Sequence, residues 1–479
     1  MAESLLQRRL TAAALTCASG GCGILPAPAG DHGSRYNSAV TFRLPRALGI
    51  MAVALAVVPA FAQGPTTGLA PATPLETFEA AWRVLRDQSV ASAISTVDWD
   101  ALAAELRPRA ERASTDEEVR ALIREMLTRV GRSHFVVLPG AMASMVDSAL
   151  AGGHTGTLGF DVRFADGELV VTRVEPGGPA DRAGIHPGWL LVRIGSYSVS
   201  DLIAAAGSGP AHVRAFHAWA LGTGLLRGRV GETAVLEFVD GSGARVARAV
   251  ARGPETGEAV RLGLLPPLFA RLEAREIARD GRRFGVIGFN VWMTAIARQF
   301  DEAVDRFRTA DGIVVDLRGN PGGLMTMVMG ISGHFVPTPI PLGVVQTREA
   351  ELRLVANPRL VNPAGRRVEP YGGPLAILVD GSTYSASEIF AGGMQAIRRA
   401  RVFGTRTPGG ALPAVVERLP SGDLLQYAIG DFVTAAGDRI EGQGVVPDVI
   451  VVPRREDLLA GRDPILEAAL AWLATEAGR

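Results

Sequence analysis

The sequence predicts an α/β protein, with an α/β core following an N-terminal helical segment and a small, mostly-β unit. Three patterns carry that prediction. Residues 74–139 repeat apolar side chains at helical spacing. Residues 156–253 read as short alternating strands broken by glycine turns. From Leu262 onward, buried strands alternate with glycine turns and helices, as in a mainly parallel sheet covered by helices. A length of 479 residues accommodates about three units of the usual ~150 residues.

The chain begins with an address. Arg43 and Arg46 precede the apolar run LGIMAVALAVVP, which leads to Ala60-Phe61-Ala62 before Gln63. A positive flank, a short apolar core and a small-x-small cleavage site make residues 1–62 a signal peptide region. Residues 1–39 sit upstream of that signal and read as an early start, with the real one near Val40. The run is short for a spanning helix. The mature chain is therefore expected to be exported, periplasmic or extracellular, with no stable membrane span once the signal is removed. Cys17 and Cys22 both precede the cleavage site, so the mature chain has no disulfide framework and no thiolate site.

Charge narrows the chemistry further. The 49 basic residues balance 49 acidic ones, which gives no field for nucleic acid or an anionic surface. Every basic residue is arginine, and arginine is never a neutral amine base. A proton acceptor must then be one of the seven histidines or a carboxylate. The histidines are scattered without ligand spacing, so neither a metal nor a cofactor is expected.

Residues 63–150 form the helical segment. Phe78, Trp82, Val84 and Leu85 suit one buried face, and Leu122, Ile123, Met126 and Leu127 another. Ser114-Thr115-Asp116 followed by Glu117 and Glu118 marks the second long helix. It ends in Val130-Gly131-Arg132-Ser133-His134, before the strand-like 135–138. Residues 155–255 supply the strand candidates LGFDVRF, ELVVTRV, WLLVRIG and AVLEFVD, with a turn and one short helix at 175–185.

Residues 256–479 form the core. The strand 312–317 runs into the turn Arg318-Gly319-Asn320-Pro321-Gly322-Gly323, and a helix begins near Met325. Bare N–H groups at such a turn suit an anion or oxyanion. The lysine and hydroxyl of a phosphate-binding loop are absent. Arg318 and Asp316 read as structural holders of the turn. The strand 375–379 then crosses a small-residue turn into a helix, putting the hydroxyl of Ser385 beside the free N–H groups of the helix start. Ser387 reads as the helix cap with Glu388 in the first turn, although it is also the rival nucleophile. IEGQGVVPDV, from Ile440 to Val449, is a last punctuated turn.

Two resemblances follow from these residues. Leu158-Gly159-Phe160, with PADRAGI and Pro187-Gly188 behind it, resembles a PDZ domain, which implies a peptide-binding loop at Leu158, Gly159 and Phe160. Trp189 departs from the aspartate usual after that glycine. DLRGNPGG, STYSASEIFAGGMQ and IEGQGVVPDV, in that order after a PDZ-like unit, resemble the C-terminal processing peptidases and their tricorn-protease relatives. The resemblance spans nearly everything after the signal. It implies a crotonase- or ClpP-like protease core and a serine endopeptidase with its nucleophile at Ser385. The commoner branch uses a lysine 25 residues after the serine, and here that position is Gly410. The tricorn-like branch uses an N-terminal Ser–His pair and a late glutamate, which match Ser133, His134 and Glu441.

The chemistry agrees with those matches. A serine hydroxyl needs a base within hydrogen-bond reach, and a neutral imidazole supplies one. Glu441 is expected to orient that imidazole with Ser133 assisting. The N–H of Ala386, and one from Gly322 or Gly323, would meet the oxyanion. His154 is the competing histidine. The expected function is endoproteolysis of unfolded or C-terminally recognised polypeptides. The alternative is an inactive PDZ-containing protein that only binds peptides.

Overall fold

A computed structural model describes residues 72–140, 155–165, 167–206, 210–265 and 267–477. The signal region, Cys17, Cys22 and His154 lie outside the described residues.

Six strands form the central sheet, in the order Leu272–Arg279, Arg282–Phe289, Gly312–Asp316, Leu375–Val379, Arg401–Gly404, Val449–Ile450. The first two pair as an antiparallel hairpin, and every later junction is parallel. Leu375–Val379 is buried along its whole length. Its side chains alternate between two cores. Leu375, Ile377 and Val379 pack with Phe289, Trp292 and Phe390, while Ala376 and Leu378 pack with Leu466, Leu470 and Leu473 of the helix Pro464–Glu476. A strand covered on both faces reads as a continuous apolar run, as this one does. Helices Ala297–Arg306, Thr326–Ser332 and Ala386–Ala396 cover the first face.

The N-terminal helices Pro74–Gln88 and Asp116–Val130 open with capping boxes at Thr73 and Thr115, and the second closes on Gly131 at φ 61°. Their apolar faces, with Trp99–Ala110 between them, enclose Phe78, Leu85, Leu106, Ile123 and Met126. The same core takes in Leu425 and Tyr427 from the hairpin Ala414–Arg418 and Leu424–Ala428. Val136–Leu138 then adds as an antiparallel third strand on Leu424–Ala428. The buried pair Arg120–Asp423, at 3.0 Å, ties the helix to the hairpin, and Asp423 also accepts the N–H of Gly140 at 2.8 Å. The chain on both sides of Ser133-His134 is thus anchored to a hairpin almost 300 residues downstream.

Between these parts, five strands form the ladder Phe160–Ala165, Glu168–Val174, Leu190–Ile194, Thr233–Val239, Arg245–Ala251. All four strands expected there are present. The helix Ala211–Leu226 was not expected. It packs Phe216 and Trp219 into the ladder's core, and Trp219 Nε1 donates to Val162 O at 2.8 Å. Trp189 is buried and meets Phe238 edge-on at 5.7 Å, so the unusual residue fills the core. Among the described residues no helix is long and apolar enough to cross a membrane.

Candidate active site

Ser385 sits between the buried strand 375–379 and the helix Ala386–Ala396, with φ 56° and ψ −121°. A non-glycine residue held there costs about 1–3 kcal/mol and persists only where its surroundings fix it. They do so here, since the Ser385 N–H donates to Gly410 O and to Glu388 Oε2, both at 3.1 Å. The helix starts at Ala386, so Ser385 holds the cap position that the sequence assigned to Ser387. Ser387 is the second residue of the helix and is fully buried. Its hydroxyl donates to Asn320 O at 3.0 Å and accepts from Trp292 Nε1 at 2.8 Å, which removes it as a rival nucleophile.

His134 also has a positive φ, 61°, at the turn between the helix and the strand Val136–Leu138. That turn brings imidazole Nε2 to 3.2 Å from Ser385 Oγ. Ser133 Oγ lies 2.8 Å from Nδ1 and 2.8 Å from Glu441 Oε2. Glu441 was expected to orient the ring with Ser133 assisting, and the contacts put the two in the reverse order. Ser133 is the group on Nδ1, and Glu441 acts one step behind it. The order settles the tautomer. An ionised carboxylate only accepts, so the single Ser133 proton goes to Glu441 and Ser133 Oγ accepts from His134 Nδ1–H. Nε2 is then bare and faces the serine hydroxyl.

Glu441 is 7% exposed and also accepts the N–H groups of Ser133 at 3.0 Å and Ala411 at 3.1 Å. Desolvation raises its pKa above the usual carboxylate value, against the pull of these donors. Desolvation also lowers the His134 imidazole to about 4. The ring is therefore neutral near pH 7, as a general base must be.

The glycine turn lies against the nucleophile. A Cβ on Gly322, at φ 98°, would meet Ser385 Cβ at 2.6 Å and Ala386 N at 3.0 Å, so only glycine fits. The Gly322 N–H, one of two expected oxyanion donors, is already given to Asn320 Oδ1 at 3.0 Å. That leaves Gly323 as the candidate beside Ala386. Asn320 is itself anchored by Nδ2 donating to Phe289 O at 2.8 Å. Arg318 braces the turn through Asp316 and Asp463.

Glu388 was read only as a first-turn carboxylate. It is fully buried and accepts from Ser385 N–H, Thr407 Oγ1, Gly409 N–H and Gly410 N–H. Desolvation pushes it up to about 7 despite these donors. Three of its partners lie 19 to 22 residues away, so no local pattern could reveal the contact.

Leu158, Gly159 and Phe160 are not brought to Ser385. Leu158 and Phe160 belong to the core of the 160–251 ladder. The Gly159 N–H is donated to Thr157 Oγ1 at 3.1 Å. No group of side chains able to hold a metal occurs among the described residues.

Residues 283–451 match the model of peptidase family S41, and residues 70–128 match that of the tricorn protease C1 domain. A tricorn protease homolog of Streptomyces coelicolor is 25% identical over 82% of this chain and 32% of its own length. Carboxyl-terminal-processing peptidase 3, chloroplastic, of Arabidopsis thaliana is 28% identical over 59% of this chain and 50% of its own. The chain thus spans a third to a half of the length of these two relatives. The solved photosystem II D1 C-terminal processing protease shares the fold, with a TM-score of 0.56 and 21% identity, over 85% of this chain and 98% of that one.

Proposed function

This chain belongs to the C-terminal processing and tricorn-like serine protease family, and we propose that it is an exported serine endopeptidase of the histidine type. The observation that carries the reading is the 3.2 Å approach of His134 Nε2 to Ser385 Oγ, with Nδ1 committed to Ser133. Ser385 attacks the scissile carbonyl as His134 takes its proton. The imidazolium that forms is stabilised through Ser133 by the Glu441 carboxylate and returns the proton to the leaving amine. Ala386 and Gly323 N–H groups meet the oxyanion, each worth about 3–4 kcal/mol in the transition state. The acyl-enzyme is then hydrolysed by water activated by the same base.

A crotonase- or ClpP-like description of the core is supported by its parallel sheet with helices on both faces. The 155–255 unit supports a PDZ reading through Phe160–Ala165, the end strand of its ladder, which would receive the C-terminal end of an unfolded polypeptide. Export rests on the signal-like 40–62 stretch.

The test is digestion of an unfolded protein by the chain from Gln63, beside Ser385→Ala and His134→Ala. Cutting by the unmutated chain alone is expected. Full cutting by His134→Ala would mean that another base serves Ser385. Inertness of all three, together with binding of peptide C-termini, would favour the binding protein instead.

A further inference from the structure

Tyr384 stands immediately before the nucleophile, and neither the resemblance nor the mechanism gives it a task. Its backbone is pinned by its N–H donating to Asn320 O at 3.0 Å and its carbonyl accepting from Ser387 N–H at 3.1 Å. The ring lies between two others. On one face is the His134 imidazole, with centroids 5.0 Å apart and planes 14° from parallel; on the other is Phe216, at 4.1 Å and 16°. The edge of the phenol covers Gly410, where any Cβ would overlap Tyr384 Cε2, Cζ and Oη. The Gly410 backbone in turn holds the site, its carbonyl accepting from Ser385 N–H at 3.1 Å and its N–H donating to Glu388 at 2.8 Å.

We propose that Tyr384 is the positioning residue of the histidine base, and that Tyr384 and Gly410 form a matched pair. The ring backs the imidazole, fixes its plane towards Ser385 Oγ and shields that face from water, while Gly410 leaves the space the ring needs. The same volume cannot hold both this ring and a side chain at position 410. A histidine base here therefore requires glycine opposite the tyrosine. The ring is the working part. Its hydroxyl is 3.5 Å from Nδ1, farther than Ser133 Oγ at 2.8 Å. Desolvation keeps the phenol neutral, well above its ordinary range.

The charged or titratable groups around this imidazole are Glu441 behind Ser133, Arg132 acting on Glu441, Tyr384 itself, and Glu388 beneath Ser385. Truncating Tyr384 to a smaller apolar residue removes only the neutral phenol among them, and Tyr384→Phe, which removes the hydroxyl alone, separates that loss from the loss of shielding.

The inference rests on the peptidase reading for its rate readout but not for its titration readout. The first measurement is the imidazole titration of His134 by NMR, assigned with His134→Ala, in the unmutated chain and in Tyr384→Phe, Tyr384→Leu and Tyr384→Ala. Tyr384→Phe should keep the low titration. Tyr384→Ala should move it by more than a unit towards the ordinary ~6.5, with Tyr384→Leu, which preserves most of the packing, in between. The second measurement is labelling of Ser385 by a fluorophosphonate together with peptide hydrolysis. Tyr384→Ala should lower kcat by about 10- to 100-fold with little change in KM, the size of effect expected for a misplaced reacting group. Gly410→Ala, whose Cβ overlaps the ring, should be impaired more than Tyr384→Ala, and combining the two should restore activity to the level of Tyr384→Ala.

An unchanged His134 titration in folded Tyr384→Ala or Tyr384→Leu would overturn the proposal. So would a double variant no better than Gly410→Ala alone. If the unmutated chain neither hydrolyses peptides nor takes the label, the peptidase reading fails, and the titrations still decide the role of Tyr384.

Discussion

At the residue scale, the site depends on a hydroxyl between an imidazole and a carboxylate. Ser133→Ala removes the acceptor from His134 Nδ1 and should leave the ring free to take the wrong tautomer. Glu441→Gln keeps Ser133 in place but withdraws the charge that faces the imidazolium. Both are expected to lower kcat about 10²- to 10⁴-fold, with Ser133→Ala the more severe, as steady-state kinetics on a peptide substrate would register. The pH profile follows from burial of the ring. His134 titrates at about 4 in the fold, so the base is present above that value and lost as pH falls through it. The acid limb of kcat/KM should lie well below 6.5, and a limb at 6.5 or above would contradict the buried-base geometry. The same shift has a stability sign. Between 6.5 and 4 the unfolded chain binds the proton first, so stability from this group declines as pH falls across that window.

At the scale of elements, the strand Val136–Leu138 decides whether there is a site at all, because its pairing with Leu424–Ala428 aims His134. Arg120 fastens the helix that leads into it, Asp116–Val130, to the same hairpin. Arg120→Ala would leave Asp423, 2% exposed, as a buried carboxylate without its partner. Breaking such a pair typically costs about 3–5 kcal/mol, so a drop in Tm by several degrees is expected on thermal melting. Activity should fall more than the folded fraction does, since the helix that loses its anchor leads directly into the turn holding His134. Arg120→Met with Asp423→Leu should recover much of the stability, because an apolar pair of similar volume carries no desolvation cost.

The elements also separate what a sequence displays from what it conceals. Leu375–Val379 was legible because a doubly covered strand is apolar throughout, and Ser385 because the turn after it is local. The helix Ala211–Leu226 escaped notice because its apolar residues are spread around it, facing both the ladder and Tyr384. The pairing of Val136–Leu138 with the hairpin 414–428 and the Glu388 contacts were missed because their partners are distant in the chain. The order His134, Ser133, Glu441 could not be read either. Three suitable residues were identifiable, but which oxygen faces Nδ1 is decided by a strand register nearly 300 residues away.

At the scale of the whole molecule, His134 and Ser385 are 251 residues apart, and Ser133 and Glu441 are 308 apart. Loop closure over such spans must precede any reward from the contacts, which makes late, slow assembly the expectation. Synthesis runs from the N-terminus, so His134 emerges first, Ser385 much later and Glu441 later still. A chain still being made therefore holds only part of the candidate site. The scattering of the site along the sequence acts as a clock: the cluster is complete only once residues as late as Glu441 have been made and folded against Ser133.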